Sequence, residues 1–320
     1  QRREVHVLLD TAREVLPGGI LGTFVMPDEF ALVLDRGQGS KVWDADGNEF
    51  IDYVLGSGPL VLGHAHPAVV QAVKEQIEKG TTFYALNEPA IRMGQLLVEA
   101  IPCAERVRFA SSGSEATFYA LRMARSHTKR EKVLKFEGAY HGHHDYAMMG
   151  FTSQSPSFPT PSVDTAGIPR CLEDTVLIAP FNDKTACEEI IERHKDDLAA
   201  VIVEPYQRVY GPKDGFLEFL REITQKHGIV LVFDELVTGF RIAFGGSQEY
   251  YGITPDLATY GKIMAGGYPL SAVCGKADIM DLCDPALKVE EGFVYQSGTL
   301  NGNAVCAAAG VATIEELKRP

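Results

Sequence analysis

The chain has 320 residues, enough to bury a sizeable core and more than a single ordinary domain needs. Apolar residues make up 45% and charged residues 23%, values that exclude a disordered chain. With 30 basic against 43 acidic side chains the net charge is −13, which makes nucleic acid and anionic membrane poor partners. There is no apolar run of about 18 residues to serve as a membrane span. Six cysteines (Cys103, Cys171, Cys187, Cys274, Cys283, Cys306) lack CxxC spacing and read as reduced, mostly buried thiols of a cytoplasmic protein.

The charge-rich start (Arg2, Arg3, Glu4, Asp10, Arg13) reads as an amphipathic segment and not a signal peptide, with a helix over 5–15 stopped by Pro17-Gly18-Gly19. Short β-type runs follow at 30–35, 41–44 and 49–54, and Asp46-Gly47 is a hairpin signal. Residues 1–55 therefore read as an N-terminal helix and a small antiparallel meander. Pro67 opens a helix over 67–79, with Val69, Val70, Val73 and Ile77 at helical spacing. Helices are then expected over 90–100, 115–127, 184–194 and 216–227. Strands are expected over 106–110, 132–136, 175–178, 199–203, 229–233 and 257–260. This alternation predicts an α/β domain over 56–303, on a mixed or mostly parallel sheet. Residues 150–172, aperiodic and rich in Ser, Pro and Thr, predict a long surface loop. A further helix over 304–317 begins the last unit, 304–320.

Two strand ends carry the chemistry. The run 229–233 ends in Asp234-Glu235, and 257–260 ends in Gly261-Lys262. An acid at the end of a buried strand sits at the carboxyl edge of a parallel sheet, where α/β proteins bind ligands. Asp234 alone could be a strand-end cap, and most lysines are solvated charges. A lysine between an apolar strand and a glycine run is nevertheless a costly place for a charge with no task. One amine and one acid converging on a crevice is what pyridoxal phosphate needs: a Schiff-base nitrogen and a partner for the ring nitrogen.

Ser111-Ser112-Gly113-Ser114-Glu115 joins a strand to a helix start. Its N–H groups and the Ser112 and Ser114 hydroxyls read as an anion cup; the plainer reading is a capping box, Ser112-x-x-Glu115. After the next strand, Tyr140 offers a ring that can stack on a flat cofactor. His141, His143, His144 and Asp145 hint at a metal, with His141 and His144 spaced to share a helix face. No further ligand cluster supports one, and none is assigned.

Taken together these stretches resemble the class-III aminotransferases, pyridoxal-phosphate enzymes of fold type I, and within them the glutamate-1-semialdehyde 2,1-aminomutase branch. The shared words run almost end to end: LPGG at 16–19, WDADGNEFIDY at 43–53, GPLVLGHAHP at 58–67, SSGSEAT at 111–117, KFEGAYHGHHD at 135–145, VEP at 203–205, FDELVTGFR at 233–241, PDLATYGK at 255–262 and SGTLNGN at 297–303. The resemblance implies a mostly parallel seven-stranded sheet with helices on both faces, and a C-terminal small domain largely absent from this chain. It implies Lys262 as the Schiff-base lysine and proton carrier, Asp234 on the ring nitrogen, and Leu236 packed under the ring. Ser112, Gly113 and Ser114 would take the phosphate, with Tyr140 stacked on the ring and His141 beside it. Thr299 would reach the phosphate of the other subunit's cofactor, so a homodimer with sites at its interface is implied. Glu204 and Arg241 also match motif positions, Arg241 as a structural ion-pair partner.

The sequence departs from the aminomutase pattern at four places. Val25 stands where the pattern has an arginine, and Gln207-Arg208-Val209 where it has an asparagine. Met148-Met149-Gly150-Phe151-Thr152 replaces a Lys-Ala-Gly-Ser-Gly loop, and Asn301-Gly302-Asn303-Ala304 replaces a proline-ending form. These departures favour an aminotransferase moving an amino group from an amino acid or ω/β-amino donor to a keto acid or aldehyde, with Arg208 as candidate carboxylate clamp. The alternative is the intramolecular 2,1-aminomutase.

Overall fold

Apolar runs and amphipathic helices sort the chain into two sheets. The computed structural model describes residues 4–152 and 157–319, so Arg2, Arg3 and positions 153–156 of the expected loop lie outside the described residues. Helix α1 (Glu4–Val15) precedes a meander of β1 (Leu34–Gln38), β2 (Lys41–Asp44) and β3 (Glu49–Ile51), antiparallel throughout. The first strand begins later than expected, because Asp28–Phe30 form a 3-10 turn. The third ends early, because the Asp52 carboxylate accepts the N–H groups of Val54 and Leu55 and turns the chain.

Helices α2 (Pro67–Lys79) and α3 (Glu88–Ala100) lead into the main sheet. Its elements follow in order: β4 (Arg106–Ala110), α4 (Gly113–Thr128), β5 (Lys132–Phe136), β6 (Val176–Ala179), α5 (Lys184–His194), β7 (Leu198–Val203), α6 (Phe216–His227), β8 (Val230–Asp234), α7 (Ser247–Tyr251), β9 (Leu257–Tyr260), β10 (Ser271–Gly275), α8 (Ala277–Met280) and α9 (Ala304–Leu317). The seven strands lie in the order β4-β10-β9-β8-β7-β5-β6. Strand β10 runs antiparallel to both β9 and β4, and the remaining pairs are parallel. The sequence reading did not anticipate β10. All five of its residues are buried, and it closes the gap between β9 and β4.

Alternate residues of the central strands feed two cores. Val201, Val203, Leu231 and Phe233 join one, while Ala200, Ile202, Val230 and Val232 join the other with the apolar face of α4. Burial on both faces is why these strands read as continuous apolar runs. The six cysteines are free thiols, five of them buried and Cys171 exposed. No helix among the described residues is long and apolar enough to cross a membrane.

At the edge of the sheet opposite the strand ends that carry Asp234 and Lys262, Asp256 ties β8 to β9. Its carboxylate accepts from Leu231 N–H at 2.8 Å, Arg221 at 2.9 Å and Lys276 at 2.5 Å. Asp256→Ala leaves a buried N–H and two cations without their acceptor. We expect a loss of about 3 kcal/mol, read as a lower urea midpoint near neutral pH.

Candidate active site

The carboxyl ends of β8 and β9 open onto a cavity of about 330 Å³. Parallel register sets Asp234 opposite Thr259 and leaves Lys262 just beyond the end of β9. Asp234 is only 4% exposed, so its oxygens require donors from the protein. Thr259 Oγ1 (3.2 Å) and Leu236 N–H (3.1 Å) donate to Oδ1, and His141 Nδ1–H donates to Oδ2 at 2.7 Å. Burial holds His141 below the ordinary histidine value despite the pull of Asp234, so the pair is a neutral imidazole donating to a carboxylate. Lys262 lines the same cavity with φ 48°, a left-handed conformation that a non-glycine residue adopts at a cost of about 1 kcal/mol. Such strain favours a functional lysine over a solvated one.

Leu236 explains two glycines. A Cβ at Gly113 would stand 2.9 Å, and one at Gly261 2.5 Å, from Leu236 Cδ1. Any larger residue at either position would force Leu236 to move.

At the start of α4 the plainer sequence reading also holds. Glu115 accepts from the N–H groups of Ser111 (2.9 Å) and Ser112 (2.8 Å) and from the Ser112 hydroxyl, a full capping box. The Ser112 hydroxyl is therefore engaged by the cap and is not a free element of the anion cup. Ser114 Oγ accepts from His143 N–H at 3.0 Å and lies 2.9 Å from its Nδ1. The Gly113 and Ser114 N–H groups, at the positive end of a 16-residue helix, have no intrahelical acceptor and remain for an anion.

The histidine cluster disperses. His141 goes to Asp234 and His143 to Ser114, while His144 packs beside Thr117 and Phe118. Burial drives His144 down to about 3, so it stays neutral. His141 and His144 share no helix face, and among the described residues no group of side chains is arranged to hold a metal.

Glu204 is the residue whose chemistry the sequence reading left unassigned. It follows Val203, which pairs with Phe233, so it sits beside Asp234 on the neighbouring strand. Its Oε2 accepts the Tyr140 N–H at 3.0 Å, and it lines the cavity. Burial, and then the Asp234 charge, push this carboxyl up to about 7. The signal was available, since an acid directly following an apolar strand is the same pattern that marked Asp234. Thr259 was also missed; only the strand register brings it to Asp234.

Ser112, Gly113, Ser114, Tyr140, His141, Asp234, Leu236 and Lys262 thus share one cavity. Arg208 does not line it: Arg208 is exposed, with Nε donating to Gly138 O at 3.1 Å. Thr299 is exposed and away from this cavity. Among the described residues Arg241, expected as a structural ion-pair partner, has no acidic partner. It donates to the carbonyls of Val237 and Gly58, tying the segment after β8 to the turn before α2. Val25 is 71% exposed.

A doubly covered α/β sheet, with an acid, an amine and a helix N-terminus around one crevice, defines an enzyme that holds an anionic ligand at the sheet's carboxyl edge. The family profile "Aminotransferase class-III" matches residues 25–320, and the chain belongs to that family. Among curated relatives, glutamate-1-semialdehyde 2,1-aminomutase of Thermodesulfovibrio yellowstonii is 45% identical over 318 residues, 98% of this chain and 73% of the relative. Among solved structures, an omega-transaminase from Sphaerobacter thermophilus superposes with TM-score 0.94 at 38% identity, covering 99% of this chain and 73% of that one. A transaminase with PLP bound follows, with TM-score 0.90 at 32% identity, over 98% of this chain and 73% of that one.

Glu204 yields a pH signature. An acid raised from 4.5 to about 7 contributes stability that is fully present below the ordinary carboxylate value and lost as pH rises through about 7. Relative to Glu204→Gln, the protein should lose up to about 3 kcal/mol between about pH 4.5 and about pH 8. Urea midpoints of both proteins without added cofactor check this, and parallel pH slopes would refute it.

Proposed function

We propose that this chain uses pyridoxal 5′-phosphate to move an amino group between an amine and a carbonyl compound. The observation that carries the reading is that Asp234 and Lys262, at the ends of neighbouring parallel strands, line one cavity together with the start of α4. The residues fit the cofactor's parts. The Gly113 and Ser114 N–H groups suit its phosphate, Asp234 its protonated ring nitrogen, and Tyr140 and Leu236 its flat faces. His141 Nε2 is buried with no hydrogen-bond partner among the described residues, a polar atom left for a ligand.

When bound, the cofactor supplies an electron sink for a carbanion at the substrate carbon. The chain's own groups do the rest. Lys262 would hold the cofactor through its Nζ; freed by an incoming amine, the same Nζ would act as the base that takes the proton from the substrate carbon and then as the acid that gives it back from the same side. Asp234, fixed by His141, Thr259 and Leu236 N–H, keeps the ring nitrogen protonated. Arg208, on the segment after β7, is the candidate clamp for a substrate carboxylate. Thr299 is the candidate contact to a second subunit's cofactor. Supporting a homodimer, Thr299 lies beside a second cavity, of about 420 Å³, lined by Tyr84 and Leu86, whose side chains are 75% and 89% exposed.

Two finer readings divide the evidence. The 45% identity to a curated aminomutase favours an intramolecular 2,1-transfer and reverses the order drawn from the sequence alone. The omega-transaminase likeness, an exposed Val25 and Arg208 in place of the pattern's polar contacts favour transfer between two molecules. A purified enzyme given glutamate-1-semialdehyde alone, or a panel of amines with and without a keto acid, separates them: an aminomutase turns over with no separate acceptor.

Lys262→Ala should abolish turnover in either assay and the visible absorbance of the bound cofactor; a variant that keeps both would refute the role of Lys262. Arg208→Ala should raise KM for carboxylate-bearing substrates by roughly ten- to a hundred-fold more than for amines lacking a carboxylate; an equal change for both would remove the clamp.

A further inference from the structure

Tyr140 is placed to touch the cofactor, yet its side chain is not held by burial: the residue is 44% exposed. Something else must fix the ring. The Phe151 ring meets it edge to face, with centroids 5.3 Å apart and planes at 63°. Behind Phe151, the Arg208 guanidinium carbon lies 4.5 Å from the ring centroid. Arg208 Nε is bonded to Gly138 O, so it is anchored to the same turn that carries Tyr140.

The backbone around Phe151 is held more firmly than the irregular sequence suggests. Asp164 accepts from Phe151 N–H at 2.7 Å and Thr152 N–H at 2.9 Å. Gly150 exchanges bonds with both sides, donating to Ser162 O and accepting from Gly138 N–H, each at 2.8 Å. Beneath it Lys135, 1% exposed on β5, donates to Ala147 O at 2.6 Å and Met149 O at 2.8 Å. Burial draws this lysine down to about 8, but two carbonyls need only two N–H donors, which a neutral amine also supplies. The arrangement costs the chain a buried amine that no step of amino transfer uses.

We infer that Phe151 is a positioning residue for the Tyr140 ring, with Arg208, Asp164 and Lys135 as its mount. The inference rests on the pyridoxal-phosphate reading above. It also gives Arg208 a task on its Phe151 side that is separate from any contact its outer guanidinium edge makes with substrate. Without Phe151, Tyr140 is free to leave the cavity wall, and the cofactor loses one flat neighbour.

The test uses the full chain as wild type and as Phe151→Ala, Phe151→Leu and Phe151→Tyr, titrated with pyridoxal 5′-phosphate. Two quantities are read: the dissociation constant, and the visible-region circular dichroism of the bound cofactor, which reports ring orientation and not mere folding. Removing an edge-to-face pair should weaken binding by about two- to ten-fold and reduce the visible dichroism, while tyrosine restores both. Phe151→Leu, which keeps most of the volume without the ring, carries the same expectation should the alanine variant fail to fold. Wild-type affinity and dichroism in the alanine or leucine variant would overturn the inference, as would a tyrosine variant no better than alanine. A wild-type chain that develops no visible band would refute the cofactor reading itself, and this inference with it.

Discussion

A buried carboxylate at the end of β8 sets the terms for everything around it. Asp234 is shielded from water, and an unpaired charge in that position would cost several kcal/mol. The protein supplies its three donors from three places: Thr259 by strand register, Leu236 by the turn that follows, and His141 by the loop after β5. Each donor fixes another part of the cavity. Thr259 fixes how far β9 runs before Lys262, Leu236 packs against Gly113 at the start of α4, and His141 draws the Tyr140 turn over the crevice.

The same constraint explains the state of Glu204. Two carboxyls on adjacent parallel strands facing one low-dielectric cavity cannot both ionise cheaply. Asp234 has the donors, while Glu204 has one backbone N–H and a buried position, so Glu204 is the one pushed up to about 7. Its neutral form leaves Asp234 as the dominant negative charge in the crevice. The cations near Glu204 are Lys135 and Arg208, but Lys135 is itself buried and Arg208 is exposed, so neither offsets the burial.

Much of this was legible because the informative pieces are contiguous. Apolar strands ending in Asp234 and Lys262, the small-residue turn before α4, and the helices over 67–79, 184–194 and 216–227 declare themselves within a dozen residues. What stayed hidden depends on pairing across the chain. Strand β10 is a five-residue run beside a glycine-rich turn, and only its position between β9 and β4 makes it a strand. Arg241 suggested a carboxylate partner, since an arginine in sequence shows its charge but not the two carbonyls that satisfy it. The departure at 148–152 was visible as a changed word. That it mounts Phe151 against Tyr140 follows from Lys135 and Asp164, 13 to 16 positions away on either side of Phe151.

The division between aminomutase and transaminase relatives follows from where the shared and unshared residues lie. In the proposed reading Asp234, Lys262, Gly113 and Ser114 would serve any amino transfer on this cofactor, because each would act on the ring, the imine nitrogen or the phosphate and none on what distinguishes one substrate from another. A fold-level likeness is therefore the same for both reactions. Of the positions that differ from the aminomutase pattern, two stand beside the Tyr140 turn: Phe151 meets the Tyr140 ring edge to face, and Arg208 donates to Gly138 O. An intramolecular transfer must keep its carbonyl product until the next amination, a demand that the groups holding the ring nitrogen, the imine and the phosphate do not meet by themselves, so residues beyond those groups must separate the two reactions.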